Sequence, residues 1–172
     1  MSESFDEYVA RIRSYVAGRD PVHVLRATPA ALERAIAGVP AKRLTAPRAP
    51  GKWSAAQVLA HLADIELLWG YRIRLILEQD GVTLAGMDQD EWARNAEYER
   101  IPPRESFELF RALRRANLRL IERLTPAARK RRGLHSQFGE LTIPRIAELM
   151  AGHDLNPRRQ VDEAASPHVK RA

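Results

Sequence analysis

Apolar residues recur at every third or fourth position along most of the chain, which is the spacing of amphipathic helices. The strongest stripe begins after Ser54, which forms a capping box with Gln57 three residues later. We find no alternation of polar and apolar residues that would indicate strands. The pattern predicts an all-α protein whose main helices cover residues 4–17, 21–37, 54–79, 103–124 and 143–156.

The segments between these helices suggest how the helices are joined. Helices that each carry one apolar stripe pack most simply as a four-helix bundle. Residues 81–101 form a long connection between the predicted helices 54–79 and 103–124, which are the second and third long helices of the bundle. We expect this connection to pack against the bundle or to carry function. Residues 133–141 are interpreted as a turn. We therefore predict a single bundle domain over residues 1–163, followed by a flexible tail over residues 164–172.

Two prolines set expectations about helix boundaries. Thr28 precedes Pro29, so it is expected to cap a helix that begins there. Pro157 follows an apolar stripe and should end or sharply kink the last helix, because proline lacks a backbone donor and its ring clashes with the carbonyl four residues earlier.

Composition and charge exclude several classes of protein. The chain has no cysteine, which excludes disulfides, thiolate metal sites and a cysteine nucleophile. Its longest stretch without Lys, Arg, Asp or Glu has 11 residues, too few to span a membrane, and its acidic N-terminus does not resemble a signal peptide. We therefore expect a cytoplasmic protein.

The net charge of +6 could indicate nucleic-acid binding. The basic residues are scattered among acidic ones, and the clearest row is Arg111, Arg115 and Arg119 on one helix face. A solvated helix face explains that row better, so we do not expect a nucleic-acid partner.

His61 and His153 each occupy a place on an apolar stripe where an aliphatic residue would be expected. A buried polar group without a partner costs about 1–3 kcal/mol, so both imidazoles need partners. Metal coordination and hydrogen bonding within the core would each supply them. Asp64 lies three residues after His61 and is a candidate third ligand, a candidate partner that orients the imidazole, or a surface charge.

Several short motifs resemble those of the DinB-like (damage-inducible protein) superfamily. They are Gly51-Lys52-Trp53-Ser54, His61-Leu62-Ala63-Asp64 with Glu66, residues 87–93 (MDQDEWA), and Gly139 with Thr142 before a helix that carries His153-Asp154. This resemblance implies a four-helix bundle, often a homodimer, with zinc, nickel or iron in a cleft between helices. It also implies a small-molecule ligand, since characterised members include transferases and isomerases that use low-molecular-weight thiols.

The family's metal site resembles one histidine after the W-S motif together with an H-x-x-x-H pair on the last helix. His61 and His153 match the first two positions, but Pro157 stands at the third and has no donor atom in its side chain. Asp64, Gln160 or His168 could replace it. We therefore expect a divalent metal to be bound weakly or to be absent.

Because Pro157 stands at the third ligand position, we consider two functions. The first is a DinB-like protein resembling metal-dependent transferases and hydrolases, with an incomplete metal site. The alternative is a metal-free bundle that binds a small ligand and has no catalytic activity.

Overall fold

The computed structural model describes residues 3–165, and helices dominate these residues. All five predicted helices are present, and their boundaries lie within three residues of those expected, except that the last helix ends at residue 165 instead of 156. The helices are α1 (Phe5–Ser14), α2 (Pro21–Ile36), α3 (Ala41–Thr45), α4 (Ala55–Glu78), α5 (Gln89–Asn95), α6 (Pro103–Glu122), α7 (Pro126–Lys130) and α8 (Ile143–Ala165), with a 3-10 turn at Tyr98–Arg100.

The four longest helices form the predicted four-helix bundle. Helix α2 packs against α6 and α8, and α4 packs against the same two helices, so that α2 and α4 lie on a diagonal. Helix α1 packs on the outside of α8. The connection over residues 81–101 also packs, because Tyr98 is only 1% exposed and lies against α4.

The expectation that strands are absent is wrong. Strand β1 (Val82–Leu84) pairs in parallel with β2 (Arg132–His135), which pairs antiparallel with β3 (Gly139–Thr142). The segment interpreted as a turn is therefore mostly a hairpin. Strands of three or four residues are too short to show a reliable alternation, and β1 and β2 are far apart in the sequence.

The expectation at Pro29 is wrong, and so is the expectation that the last helix ends at Pro157. Helix α2 continues through Pro29, and Thr28 is buried inside it, donating to the backbone oxygen of Val24 instead of capping a helix. Helix α8 continues through Pro157. Val161, one turn beyond, is fully buried in an apolar cluster with residues of α2, α4 and α6, and this packing offsets the loss of one helical hydrogen bond.

The end of the chain is only partly described. Residues 164 and 165, which we had assigned to the tail, belong to α8, and residues 166–172 lie outside the described part. Within the described part, every helix is too short or too polar to cross a membrane.

A layer of polar side chains separates the two larger of the three apolar clusters in the described core. Each bundle helix contributes one residue to this polar layer: Thr28, Glu66, Arg114 and Asp154. The Arg114 guanidinium lies 2.7 Å from a Glu66 oxygen and 2.8 Å from an Asp154 oxygen, and it donates to the backbone oxygen of Leu25. The layer ties four helices together through one buried cation.

Candidate metal centre

The two predicted histidines meet at the contact between α4 and α8. The capping box at Ser54 fixes the start of α4, so that His61 lies two turns inside the helix. His153 projects from α8, and its Nε2 lies 3.1 Å from Nε2 of His61. His61 is only 4% exposed, whereas His153 is half-buried at the wall of a cavity.

The distance between the two nitrogens suits a shared ligand position. Two imidazole nitrogens bound tetrahedrally to one zinc ion at about 2.0–2.1 Å would lie roughly 3.3 Å apart. Burial lowers the pKa of His61 well below its usual value, and the neighbouring His153 lowers it further. Burial, assisted by the Arg114 cation, lowers the pKa of His153 to about 4. Both rings are therefore neutral near pH 7, which is the form that binds metals.

The outer nitrogens of the pair are not oriented by other side chains. Both Nδ1 atoms are buried and have no hydrogen-bond partner within residues 3–165. Histidines that bind metal almost always donate this N–H to a carboxylate, a carbonyl or water. No protein group of the described residues supplies this contact to either ring.

A third ligand does not join the pair. Within the described part of the chain, no group of three His, Cys, Asp or Glu side chains could hold a metal ion. Asp64 accepts a 2.6 Å hydrogen bond from the hydroxyl of Tyr98, and the carboxylate together with burial raises the pKa of that hydroxyl. His168 lies outside the described residues.

Residue 157 occupies the position from which a third metal ligand would face the same cavity as His153. Because α8 is continuous, Pro157 lies one turn after His153 and lines the same cavity. Gln160 lines it as well, but its side chain is mostly exposed. The residues present therefore fit two metal ligands and do not complete the three-ligand arrangement of a catalytic zinc site.

A cavity of about 700 Å³ opens above the two histidines, and we call it the histidine cavity. Its wall includes the Trp53 ring, whose centroid lies 5.2 Å from that of His61. The side chain of Asn156 and the Lys52 side chain add polar groups to the wall. A concave site of this size with an aromatic wall is suited to a small organic molecule.

The polar layer lies directly behind the site and was not predicted from the sequence. Asp154 follows His153 in α8, and burial raises the pKa of its carboxyl while Arg114 opposes the rise. Asn117 donates to both the backbone and the carboxylate of Glu66. The sequence does contain a signal, because Arg114 falls on the apolar stripe of α6, where an unpaired cation would be unfavourable.

Comparison with known proteins identifies the class. The family model of the DinB superfamily matches residues 25–161. The chain belongs to the DinB superfamily, as the resemblance had indicated.

Individual relatives agree with this assignment. A protein of Geobacillus thermodenitrificans named "Putative metal-dependent hydrolase" is 31% identical over 106 residues, which is 62% of this chain and 60% of that protein. A protein of Geobacillus kaustophilus with the same description is 28% identical over 81% of this chain and 79% of its own length.

A solved structure supports the fold. YfiT from Bacillus subtilis, described as a probable metal-dependent hydrolase with an unusual four-helix bundle topology, has a TM-score of 0.76 to this chain. It is 24% identical, and the match covers 84% of this chain and 83% of YfiT. At this identity the similarity establishes the shared fold.

Proposed function

We propose that this chain is a DinB-superfamily protein that binds a small molecule above a weak, two-histidine site for a divalent metal. The observation that carries the proposal is the 3.1 Å approach of the His61 and His153 Nε2 atoms, with Pro157 one turn further along α8. Its relatives are described as metal-dependent hydrolases, which supports a divalent metal in this cleft.

The weakness of the site follows from its ligands. Two neutral imidazoles supply two of the three protein ligands that hold a catalytic zinc ion. Neither Nδ1 atom has a hydrogen-bond partner within the described residues, and such partners typically contribute 10–100-fold to metal affinity. Zinc, nickel or iron would therefore exchange readily with the solvent.

The chain's own groups can position a small ligand without any metal. Trp53 forms an aromatic wall beside His61, and Lys52 and Asn156 add polar side chains to the wall of the cavity. Because the floor of the cavity is buried, hydrogen bonds made there are less exposed to competition from water.

The same distance supports a second candidate, a metal-free binding bundle. One Nε2–H can donate directly to the other Nε2 at 3.1 Å, which satisfies both inner nitrogens without an ion. In that case ligands would bind equally well with and without a chelator.

Equilibrium dialysis of the full chain against zinc and nickel separates these candidates. We expect substoichiometric metal after purification, micromolar or weaker binding on titration, and loss of binding in His61→Ala. Absence of any binding that depends on His61 would contradict the two-histidine site and favour the metal-free bundle. The expected homodimer belongs to the same proposal, and light scattering of the purified protein tests it.

A further inference from the structure

A second, smaller cavity of about 200 Å³ adjoins the histidine cavity, and His153 lines both. We call it the arginine cavity, because the Arg72 side chain reaches into its wall from α4. Arg72 is only 4% exposed. Residues 3–165 place no carboxylate within ion-pair distance of it, unlike Arg114, which faces two.

The hydrogen bonds of Arg72 are incomplete. Its Nη2 donates to the backbone oxygen of Ala85 and lies 3.0 Å from Nε2 of His135. Its Nε is buried without a partner in the described part of the chain. The central carbon of the guanidinium lies over the Trp69 ring, 4.6 Å from its centroid. An unpaired buried cation is costly, so a site of this kind favours a negatively charged occupant.

His135 adds a second donor because of its tautomer. Its Nδ1 accepts from the backbone N–H groups of Gln137 and Phe138 at 3.1 and 3.3 Å, as expected for a histidine that shapes this hairpin. The proton of the neutral ring must then lie on Nε2. Two donors, Nε2–H of His135 and Nη2–H of Arg72, therefore face each other across 3.0 Å. An acceptor oxygen that lies beside the pair, about 2.7–3.2 Å from each nitrogen, would accept a hydrogen bond from both.

We infer that the arginine cavity binds the carboxylate of a small molecule with an apolar body, held by Arg72 and His135. The walls around the two donors are mostly apolar, and they include the rings of Trp69 and Phe138 and the side chain of Met87. This inference deepens the proposed small-molecule cleft, because a ligand anchored here would extend past His153 into the histidine cavity.

Calorimetric titration of the full chain in EDTA tests the inference with phenylacetate, which pairs a carboxylate with an aromatic ring. Phenylacetamide has nearly the same shape without the charge. We expect phenylacetate to bind at least about tenfold more tightly, because hydrogen bonds to charged groups contribute about 1.5–3 kcal/mol. Equal binding of the two compounds, or tighter binding of inorganic phosphate than of phenylacetate, would overturn the carboxylate assignment.

Variants connect the binding to the named residues. Arg72→Met should lower phenylacetate affinity at least about tenfold, whereas Arg115→Met, which changes an exposed arginine on α6, should leave it unchanged. Unchanged affinity in Arg72→Met would overturn the inference. His135→Phe keeps an aromatic ring at this position and leaves the Arg72 charge in place, but it removes one donor. It should weaken phenylacetate binding severalfold, and unchanged affinity would overturn the role of His135.

Two further measurements distinguish a ligand-binding arginine from a structural one and this site from the metal site. Arg72→Met should unfold near the wild-type temperature without ligand, because it removes a buried charge that no carboxylate of residues 3–165 compensates. A large loss of stability would instead indicate a structural arginine. His61→Ala should still bind phenylacetate. If the protein binds phenylacetate but no metal, only the proposed metal site is refuted. If it binds metal but not phenylacetate, only the carboxylate site is refuted.

Discussion

Replacing Pro157 with histidine tests whether the metal site lacks only one ligand. Helix α8 is continuous through position 157, so the new side chain would lie one turn after His153 and face the same cavity. Side chains four residues apart on a helix have Cβ atoms about 5–6 Å apart, which allows both imidazoles to reach one ion. Pro157→His would therefore restore the H-x-x-x-H pair.

The expected gain follows from the energetics of known zinc sites. A structural site with four ligands contributes about 10–16 kcal/mol, or roughly 2.5–4 kcal/mol per ligand. Ordering the new imidazole costs about 1 kcal/mol. The remaining 1.5–3 kcal/mol predicts that zinc binds about ten- to a hundredfold more tightly.

Competition against a fluorescent zinc chelator measures this change, and Pro157→Ala is the matched control. The alanine also removes the proline ring and restores a backbone N–H that can donate to the His153 oxygen, but it adds no ligand. We expect the gain in Pro157→His alone. Equal zinc affinity in both variants would show that position 157 does not face the ion.

Three further predictions concern stability, measured by urea denaturation. Arg114→Met should destabilise the fold by about 3–5 kcal/mol, because the carboxylates of the polar layer would stay buried without their cation; a loss below about 1 kcal/mol would show that the layer is not needed. Gly152→Ala should cost about 1–3 kcal/mol, since its Cβ would lie 2.1 Å from the Ile12 carbonyl oxygen, and a neutral effect would mean that α1 is not docked there. The free energy of unfolding of the metal-free protein should fall by up to about 3 kcal/mol between about pH 6.5 and pH 4. The folded state lowers the pKa of His153 to about 4, so the unfolded chain takes up protons first as the pH falls. His61, shifted in the same direction, adds to this loss, and a profile that is flat with pH would contradict the buried neutral pair.

The bundle could be predicted from the sequence because its signals are local. Apolar stripes and helix caps act within one or two turns, and Ser54 caps the helix that it was expected to cap. The sheet could not be predicted in this way, because β1 gains its partner only when β2, about fifty residues later, returns beside it. Short strands of this kind are set by tertiary contacts, which a local pattern does not contain.

The candidate site, like the fold, could be predicted where its signals are local and could not be predicted where tertiary contacts decide. His61 and His153 were recognisable because polar side chains on apolar stripes need partners, and the structure brings them together. The prediction that the last helix ends at Pro157 was wrong, because the packing of α8 on both sides of the proline stabilises the helix by more than the proline costs locally. The burial of Arg72 without a carboxylate partner could not be predicted, because it depends on the hairpin that carries His135.

The proposed metal site requires that His61 and His153 hold one divalent ion between them. X-ray diffraction from crystals soaked in zinc, recorded at the zinc absorption edge, would locate that ion. We expect an anomalous peak about 2.0–2.1 Å from Nε2 of both residues, at partial occupancy, and no such peak in His61→Ala. A peak elsewhere, or none between the two rings at millimolar zinc, would rule out the two-histidine site.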